Sequence, residues 1–119
     1  SLLVECAFTV NQIYTGIERM FRNIAGFFET NIDSDGWHKS PLERMRIPVE
    51  GLRPAVISEI CYTRLDDLRA FRHYFRHAYD SDIRPEKFTI VAQSALALRE
   101  SLNREIGVFM AFLDQLKRA

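Results

Sequence analysis

Apolar residues recur at steps of three and four through the first and last thirds of this chain. That spacing puts them on one side of an α-helix, whereas a half-buried strand would alternate at every second residue. We predict a first helix from Leu2 to Glu29. Its apolar stripe consists of Ile13, Ile17, Met20, Phe21, Ile24, Phe27 and Phe28. No persuasive alternating pattern occurs anywhere in the sequence, which favours an all-α fold.

Turn-forming residues divide the remaining sequence into three further helical segments. After the polar loop TNIDSDGWHKSP, Ser40 predicts an N-cap and Pro41 the first turn of a short second helix that ends before Pro48. The connector IPVEGLRP, residues 47–54, cannot continue this helix because prolines and a glycine interrupt it. A third helix follows the connector and ends near segment 80–85.

The third and fourth helices each have one broad apolar side. On the third helix we predict that this side consists of Ala55, Ile57, Ile60, Cys61, Leu65, Leu68, Phe71, Phe75 and Ala78. The fourth helix is predicted from Pro85 to about Lys117. Its core face is predicted to be Phe88, Val91, Ala92, Ala95, Leu98, Leu102, Ile106, Phe109, Phe112, Leu113 and Leu116. Because every helix must bury such a side, we expect an antiparallel bundle of four main helices that forms one domain over residues 1–119.

The composition limits the partners that the whole chain can attract. It has 119 residues, 47% of them hydrophobic, and its 16 basic side chains balance 16 acidic ones. Such a chain is neither disordered nor a strongly basic nucleic-acid binder, so any contact with RNA must be a local patch. No run approaches the ~20 apolar residues that span a bilayer, and the opening SLLVECAF lacks the basic start of a signal peptide. We expect a soluble cytoplasmic protein, and the absence of an initiator methionine leaves a trimmed or more distant native start open.

The two cysteines, Cys6 and Cys61, have no metal-ligand spacing and are too few for a disulfide framework. We expect both to be buried free thiols in a reducing cytosol. The sequence predicts neither a metal site nor a cofactor.

The octapeptide RHYFRHAY, residues 72–79, gathers permanent cations, two imidazoles and a phenol at the end of the third helix. Arginine can pair with a phosphate through two parallel hydrogen bonds, and histidine exchanges protons near neutrality. Residues 69–77 contain no acid. The acids that flank them are Asp66, Asp67, Asp80 and Asp82. The sequence therefore predicts a small electropositive patch suited to metal-free chemistry on a phosphodiester.

The arginine and the second histidine of this octapeptide are not neighbours on an ideal helix. Roughly 140° separates Arg72 from His77, whereas His73 and His77 differ by only about 40°. A distortion of the helix before Asp80 would bring Arg72 and His77 together. A twofold dimer with antiparallel third helices would also do so, because arginine from one subunit would approach histidine from the other. We favour the dimer, which would double the local positive charge.

With these residues the chain resembles the HEPN superfamily and, within it, the HepT-like toxins of bacterial and archaeal toxin–antitoxin systems. The motif that carries the resemblance is RxxxxH followed by xY, here Arg72, His77 and Tyr79, with His73 at the polar position after the arginine. The motif lies near the end of the third main helix, and the similarity covers essentially the whole chain.

The resemblance implies a homodimeric, metal-independent endoribonuclease whose two motifs meet at the dimer cleft. His77 would take the proton from an RNA 2′-hydroxyl, which attacks the adjacent phosphorus and leaves a 2′,3′-cyclic phosphate. Arg72 would stabilise the charge that builds up on phosphorus. His73 would orient its neighbour or act as the partner acid, and Arg69 and Arg76 would guide the RNA backbone.

The resemblance also implies a protein partner, a small nucleotidyltransferase antitoxin of the MNT type that transfers AMP groups to the motif tyrosine. Here that tyrosine is Tyr79, and the added phosphates would repel RNA and occupy Arg72. The sequence departs from the commonest HepT form at two positions, with His73 where asparagine often stands and Arg76 where an apolar residue often stands.

Simpler roles remain open for several of these residues. His73 could be a solvent-facing imidazole, and Tyr79 could pack its ring while exposing its hydroxyl. Arg69 and Arg76 could be surface charges paired with nearby acids. In the long polar loop, the pair Trp37–His38 could pin the loop to the bundle or contact RNA or a partner.

Two other functions also fit the sequence. One is a catalytically inactive HEPN module that binds a nucleotidyltransferase partner and leaves RNA intact. The other is a dimeric helical adaptor, which would tolerate replacement of Arg72 and His77.

Overall fold

Four helices make up the part of the chain that the computed structural model describes, residues 1–29, 39–78 and 82–119. They are α1 (Leu2–Glu29), α2 (Pro41–Met45), α3 (Glu59–His77) and α4 (Pro85–Arg118). Within those ranges the only β-type pairing is an isolated bridge between Val49 and Arg53, so the all-α prediction is confirmed. None of these helices is long and apolar enough to cross a membrane. The loop residues Trp37 and His38 lie outside the described ranges.

The three long helices alternate in direction. α3 is antiparallel to α4, because Ser58 at the start of α3 hydrogen-bonds at 2.7 Å to Glu105 in the second half of α4. Farther along α3, Asp67 accepts a hydrogen bond of 2.7 Å from Ser94, which is nearer the start of α4. Ile17 of α1 lines a cavity together with Leu98 of α4. Farther along both helices the ring of Phe28 contacts that of Phe109, so α1 and α4 run in the same direction. α3 is thus the antiparallel member that packs against both.

The core confirms most of the predicted apolar stripes and corrects part of them. Phe27 and Ile13 of α1, which we predicted to face the core, are 78% and 49% exposed, and Ile60 of α3 is 63% exposed. The spacing predicts which residues share a side of a helix, but it does not predict how much of that side the neighbouring helices cover. The buried line of α1 runs through Ala7, Val10, Tyr14, Phe21 and Ala25.

The short helix α2 is capped as predicted. The Ser40 hydroxyl accepts the N–H of Glu43 at 3.2 Å, and Pro41 occupies the first turn. The buried side chains Leu42 and Met45 then pack α2 into the core, where it contacts α1 and α3.

The prediction that α3 begins directly after the connector, with Ala55 and Ile57 on its apolar side, is wrong. The N–H of Ile57 donates to the carbonyl of Met45 at 3.1 Å, so this segment folds back onto the end of α2. α3 starts only after Ser58, whose hydroxyl accepts the N–H of Cys61 at 3.2 Å and caps the helix. Ile57 is nevertheless buried and contributes to the core from outside the helix.

Both cysteines are free thiols, as predicted. Cys61 is completely buried, and this burial raises the pKa of its thiol. Cys6 is only partly buried, so the prediction of burial holds in full for Cys61 alone.

A buried ion pair joins the end of α1 to the connector. Arg53 donates to Glu29, and the side chains of both residues are fully buried. The same guanidinium donates to the carbonyl oxygens of Ile47 and Pro54 at 3.0 Å and to that of Arg44 at 3.2 Å. Arg44 adds a second cation, 3.8 Å from the carboxylate of Glu29. One arginine therefore fixes the path of the chain between α2 and α3 relative to α1.

Replacing Arg53 with methionine should destabilise the protein strongly. The substitution leaves the Glu29 carboxylate buried without its main partner and removes the Arg53 donor from three backbone carbonyl groups, and a change of this kind costs about 3 kcal/mol or more. Urea unfolding followed by circular dichroism measures the loss. The matched control is Arg46→Met, whose partner Glu59 is exposed at 72%, and it should move the midpoint much less. Equal shifts for the two variants would contradict a structural role for the buried pair.

Candidate functional site

The last two turns of α3 position most of the predicted site residues. α3 continues as a regular α-helix to His77, and Ala78 caps it with an N–H bond to the carbonyl of Phe75 at 3.4 Å. Arg72 faces α1, whereas His73 and His77 are exposed to solvent. The tyrosine of the motif, Tyr79, lies outside the described residues. The structure therefore describes the cation and both imidazoles, and the role of the phenol remains a prediction.

Arg72 is held by a carboxylate from α1. Its two terminal nitrogens donate to the two oxygens of Glu18 at 2.9 and 3.1 Å, and each side chain is only 17% exposed. The guanidinium carbon also lies 4.8 Å from the centre of the Tyr14 ring. This two-bond arrangement fixes the plane of the guanidinium as well as its position. The cation of the motif is therefore pre-oriented by the packing of α1 on α3.

The hydrogen bonds between Glu18 and Arg72 determine the pKa shifts of these two groups, whereas burial determines that of Tyr14. The hydrogen bond from Arg72 holds the pKa of the Glu18 carboxyl below its ordinary value of 4.5, and the pair raises the pKa of Arg72 in turn. Burial, with a smaller effect of Glu18, raises the pKa of the Tyr14 hydroxyl to about 12. Arg22 approaches the same carboxylate at 3.4 Å from the solvent side. One acid is thus shared by two arginines, and the group keeps a net positive charge.

Glu18 is a site residue that our sequence reasoning missed. It stands four residues after Tyr14 and three before Phe21, so it continues the buried line of α1 at a place where an apolar residue would be expected. A carboxylate on that line needs a cation from another segment, because an unpaired buried charge is costly. That signal was present in the sequence, but it could not say which arginine would be the partner.

The two histidines lie on one face, as predicted. Their ring centroids are 4.5 Å apart. The Nδ1 atom of His77 lies 2.8 Å from the backbone carbonyl oxygen of His73. A carbonyl can only accept, so Nδ1 of His77 carries the hydrogen, and in the neutral imidazole the lone pair is therefore on Nε2. His73 thus contacts His77 both through its backbone carbonyl and through its ring.

Within one protomer, Arg72 and His77 do not meet. Arg72 is turned towards α1 by Glu18, whereas the His77 ring is exposed and bonds to the carbonyl of His73 in its own helix. The helix is regular through this stretch, so no distortion between the two residues removes their angular separation. Of the two arrangements that the sequence left open, a distortion within this stretch of α3 is not observed.

The other two arginines near the motif differ in their partners. Arg69 donates to Asp66 at 2.6 Å, which is the surface pairing that the sequence left open as an alternative. Arg76 is exposed and forms no ion pair with any side chain in the described ranges. It is the cation of this face with the fewest constraints on its position.

Tyr74, inside the octapeptide, has a structural role that the sequence did not suggest. Its hydroxyl donates to the carbonyl of Asp82 at 3.0 Å and accepts the N–H of Arg84 at 2.9 Å. Lys87 lies 5.3 Å from the centre of its ring. Tyr74 therefore attaches the start of α4 to the end of α3, beside the exposed histidines.

Metal ligands are sparse in this region. Over residues 1–29, 39–78 and 82–119, no group of three or more His, Cys, Asp or Glu side chains is placed to hold a metal ion. The chemistry that the described side chains themselves offer is a fixed guanidinium and an oriented imidazole.

Replacing Glu18 with glutamine should flatten the acid dependence of stability. Because the folded-state pKa of Glu18 lies below 4.5, its ionised form stabilises the protein above about pH 5, and this contribution is lost as the pH falls through the folded-state pKa. Glu18→Gln should therefore be less stable than the original protein at pH 7, and the difference should shrink towards pH 3. Urea unfolding over this pH range measures it, with the exposed Glu100→Gln as the control. A difference that does not change with pH would contradict an ionised Glu18–Arg72 pair.

Comparison with known proteins supports the resemblance that the motif suggested. A family model described as HepT-like protein matches residues 6–113. Neither the curated proteins nor the solved structures gave a significant match. The matched region contains Glu18 and the whole of α3, and therefore the complete Arg72 and histidine arrangement. This chain belongs to the HepT-like family of the HEPN superfamily.

Proposed function

We propose that the protein is a metal-independent endoribonuclease toxin that acts in the cytoplasm as a homodimer of one HEPN domain, residues 1–119. Membership of the HepT-like family indicates a HEPN-type toxin module. The observation that supports the nuclease activity is the geometry of the motif. The guanidinium of Arg72 is fixed by two hydrogen bonds, and five residues later the imidazole of His77 has its Nε2 available. A cation for phosphate and a base for a hydroxyl are the two groups that RNA cleavage without a metal requires.

Arg72 would bind the nonbridging oxygens of the scissile phosphate. Its terminal nitrogens use one N–H each on Glu18, which leaves its other N–H groups for the substrate. Because Glu18 holds the side chain in place before RNA arrives, little further ordering of the arginine is needed on binding. A lysine could not make both bonds to Glu18 and also face the phosphate, so lysine should substitute poorly.

His77 would act as the general base. Its Nδ1–H is committed to the carbonyl of His73, so Nε2 is the nitrogen that would accept the proton of the 2′-hydroxyl. The oxygen then attacks phosphorus, the bond from phosphorus to the 5′-oxygen breaks, and a 2′,3′-cyclic phosphate forms. The leaving 5′-oxygen needs a proton, and the ring of His73, next to that of His77, is our candidate for the acid.

Two subunits would complete the site. Since Arg72 and His77 diverge within one protomer, a twofold axis near the end of α3 would let the arginine of one copy face the imidazole of the other. The exposed part of α3 carries His73, Arg76 and His77, so such a cleft would be lined by cations and imidazoles. Arg76, and Arg69 beside its acid partner, would then guide the RNA backbone.

Regulation would come from a nucleotidyltransferase partner of the MNT type. In HepT-like systems such an antitoxin adds AMP to the tyrosine of the motif, and Tyr79 occupies that position here. We propose Tyr79 as the acceptor. The phosphates of the added groups would compete with RNA for Arg72 and would repel the RNA backbone.

One observation favours a second candidate, a catalytically inactive HEPN module that binds a nucleotidyltransferase. Arg72 already has an acidic partner, and a guanidinium that Glu18 saturates would have less charge to offer a phosphate. In such a module the same residues would only shape the cleft. RNA cleavage separates the two candidates directly.

The proposed nuclease should cut RNA in EDTA. His77→Ala should lower the rate by about 10² to 10⁴, because a positioned base contributes a factor of that order, and Arg72→Ala and Arg72→Lys should lower it as well. The products should carry 2′,3′-cyclic phosphate and 5′-hydroxyl ends, and an oligonucleotide with 2′-deoxyribose at the cut should survive.

A matched control for charge is Arg99→Ala, an exposed arginine on α4 away from the motif. It should leave the rate unchanged. Cleavage that requires magnesium, or that is indifferent to both Arg72→Ala and His77→Ala, would contradict the mechanism, and no cleavage at all would favour the inactive module.

Mixing two inactive variants tests whether the site is shared between subunits. When Arg72→Ala and His77→Ala proteins exchange subunits at equal amounts, half of the dimers are mixed, and each mixed dimer has one intact site and one with both changes. The mixture should therefore recover about a quarter of the original activity. If Arg72 and His77 act from the same subunit, no activity returns.

A further inference from the structure

We propose that His73 and His77 form a chelating site for a divalent transition-metal ion, of the class of Ni²⁺, Cu²⁺ and Zn²⁺. Two imidazoles would be the protein ligands, and water would complete the coordination. An ion held there would inhibit the protein, not assist catalysis. The binding part of this inference stands on the geometry of α3 alone, whereas the inhibition rests on the proposed nuclease.

The spacing and the exposure of His73 and His77 allow the two side chains to chelate one metal ion. Histidines four residues apart on a helix lie on one face, and pairs of this spacing are used as metal ligands in proteins. Here the ring centroids are 4.5 Å apart and both side chains are exposed, so an ion can reach them from solvent. Small rotations of the rings would bring one nitrogen of each to about 2.1 Å from the same ion.

The hydrogen bond of His77 is the second observation that points to a ligand. Histidines that bind metals usually donate their other ring N–H to a carbonyl or a carboxylate, which fixes the tautomer and the orientation of the ring. His77 makes this bond with Nδ1, to the carbonyl of His73 at 2.8 Å. The neutral ring therefore already has the tautomer in which Nε2 can bind a metal ion.

The surroundings limit both the affinity and the kind of ion. No third His, Cys, Asp or Glu within the described ranges completes a group with these two histidines. Asp66, about two helical turns before His73, is engaged by Arg69, and the exposed Arg76 lies between the two histidines in sequence and adds positive charge. We therefore expect a weak, exchangeable site. Imidazole pairs favour copper, nickel and zinc, whereas magnesium and calcium prefer oxygen ligands and should not bind.

Occupation of this site would block the proposed reaction. The ion takes the lone pair of Nε2 on His77, which is the same pair of electrons that would accept the proton of the 2′-hydroxyl. Nε2 of His77 can therefore bind a metal ion or accept a proton, but it cannot do both at once. A nuclease that needs no metal would in this way be sensitive to one.

Isothermal titration calorimetry with Ni²⁺ tests the site without reference to activity. The original protein should bind Ni²⁺ and not Mg²⁺, and His73→Gln and His77→Gln should each weaken Ni²⁺ binding at least about tenfold. The controls are His38→Gln, which removes the only other histidine in the sequence, and Cys6→Ser, which removes the more accessible thiol. Both should bind as the original protein does. Helical circular dichroism establishes that the exposed substitutions leave the fold intact.

Affinity that is unchanged in His73→Gln or His77→Gln, or that is lost in His38→Gln, would overturn the inference. A second measurement, the RNA cleavage rate against Ni²⁺ concentration, should show half-inhibition near the dissociation constant and recovery in EDTA. If Ni²⁺ binds to the histidines but RNA is never cleaved, the metal site stands and the proposed function fails. If RNA is cleaved and Ni²⁺ does not bind, the proposed nuclease stands and the metal site fails.

Discussion

A carboxylate on the buried side of a helix needs a cation, and α1 carries two such carboxylates. Glu18 and Glu29 both continue the line that buries Tyr14 and Phe21, and they stand about three helical turns apart. Each is met by an arginine from elsewhere in the chain, Glu18 by α3 and Glu29 by the connector. Because both pairs must form at once, the rotation and the register of α1 against the rest of the bundle are fixed more tightly than apolar contacts alone would fix them.

The two ion pairs differ in whether the arginine remains accessible to a ligand. Arg53 is fully buried and both of its terminal nitrogens donate to Glu29 or to backbone carbonyls, so its role is in packing. Arg72 is held by one carboxylate at the edge of the bundle and remains partly exposed, so the same kind of pair becomes a pre-oriented cation. That pairing also turns Arg72 away from His77. The geometry that prepares the arginine is therefore the geometry that calls for a second subunit in the proposed site.

The sequence predicted the fold better than the contacts between its parts. Helical spacing, with a serine and a proline at the start of α2, predicted α1 and α2 closely, since these signals are local. The start of α3 was wrong because the bond from Ile57 to Met45 is not local, and the apolar residues before Ser58 fit a helix equally well. The shared face of the histidines could be predicted from one helix alone. The partner of Arg72 could not, because Glu18 lies 54 residues away and the sequence offers several arginines that could have met it.

The arginine and the imidazole of the motif are oriented by different contacts, so a structural change can disturb one of them without the other. Arg72 depends on α1, because its position comes from Glu18 across the contact between α1 and α3. His77 depends only on the last turn of its own helix, through the carbonyl of His73. A change that loosens α1, including loss of the buried pair between Glu29 and Arg53, would disturb the cation and leave the base in place. Fraying at the end of α3 would do the opposite, since Arg72 lies more than a turn before the last helical residue and is anchored sideways.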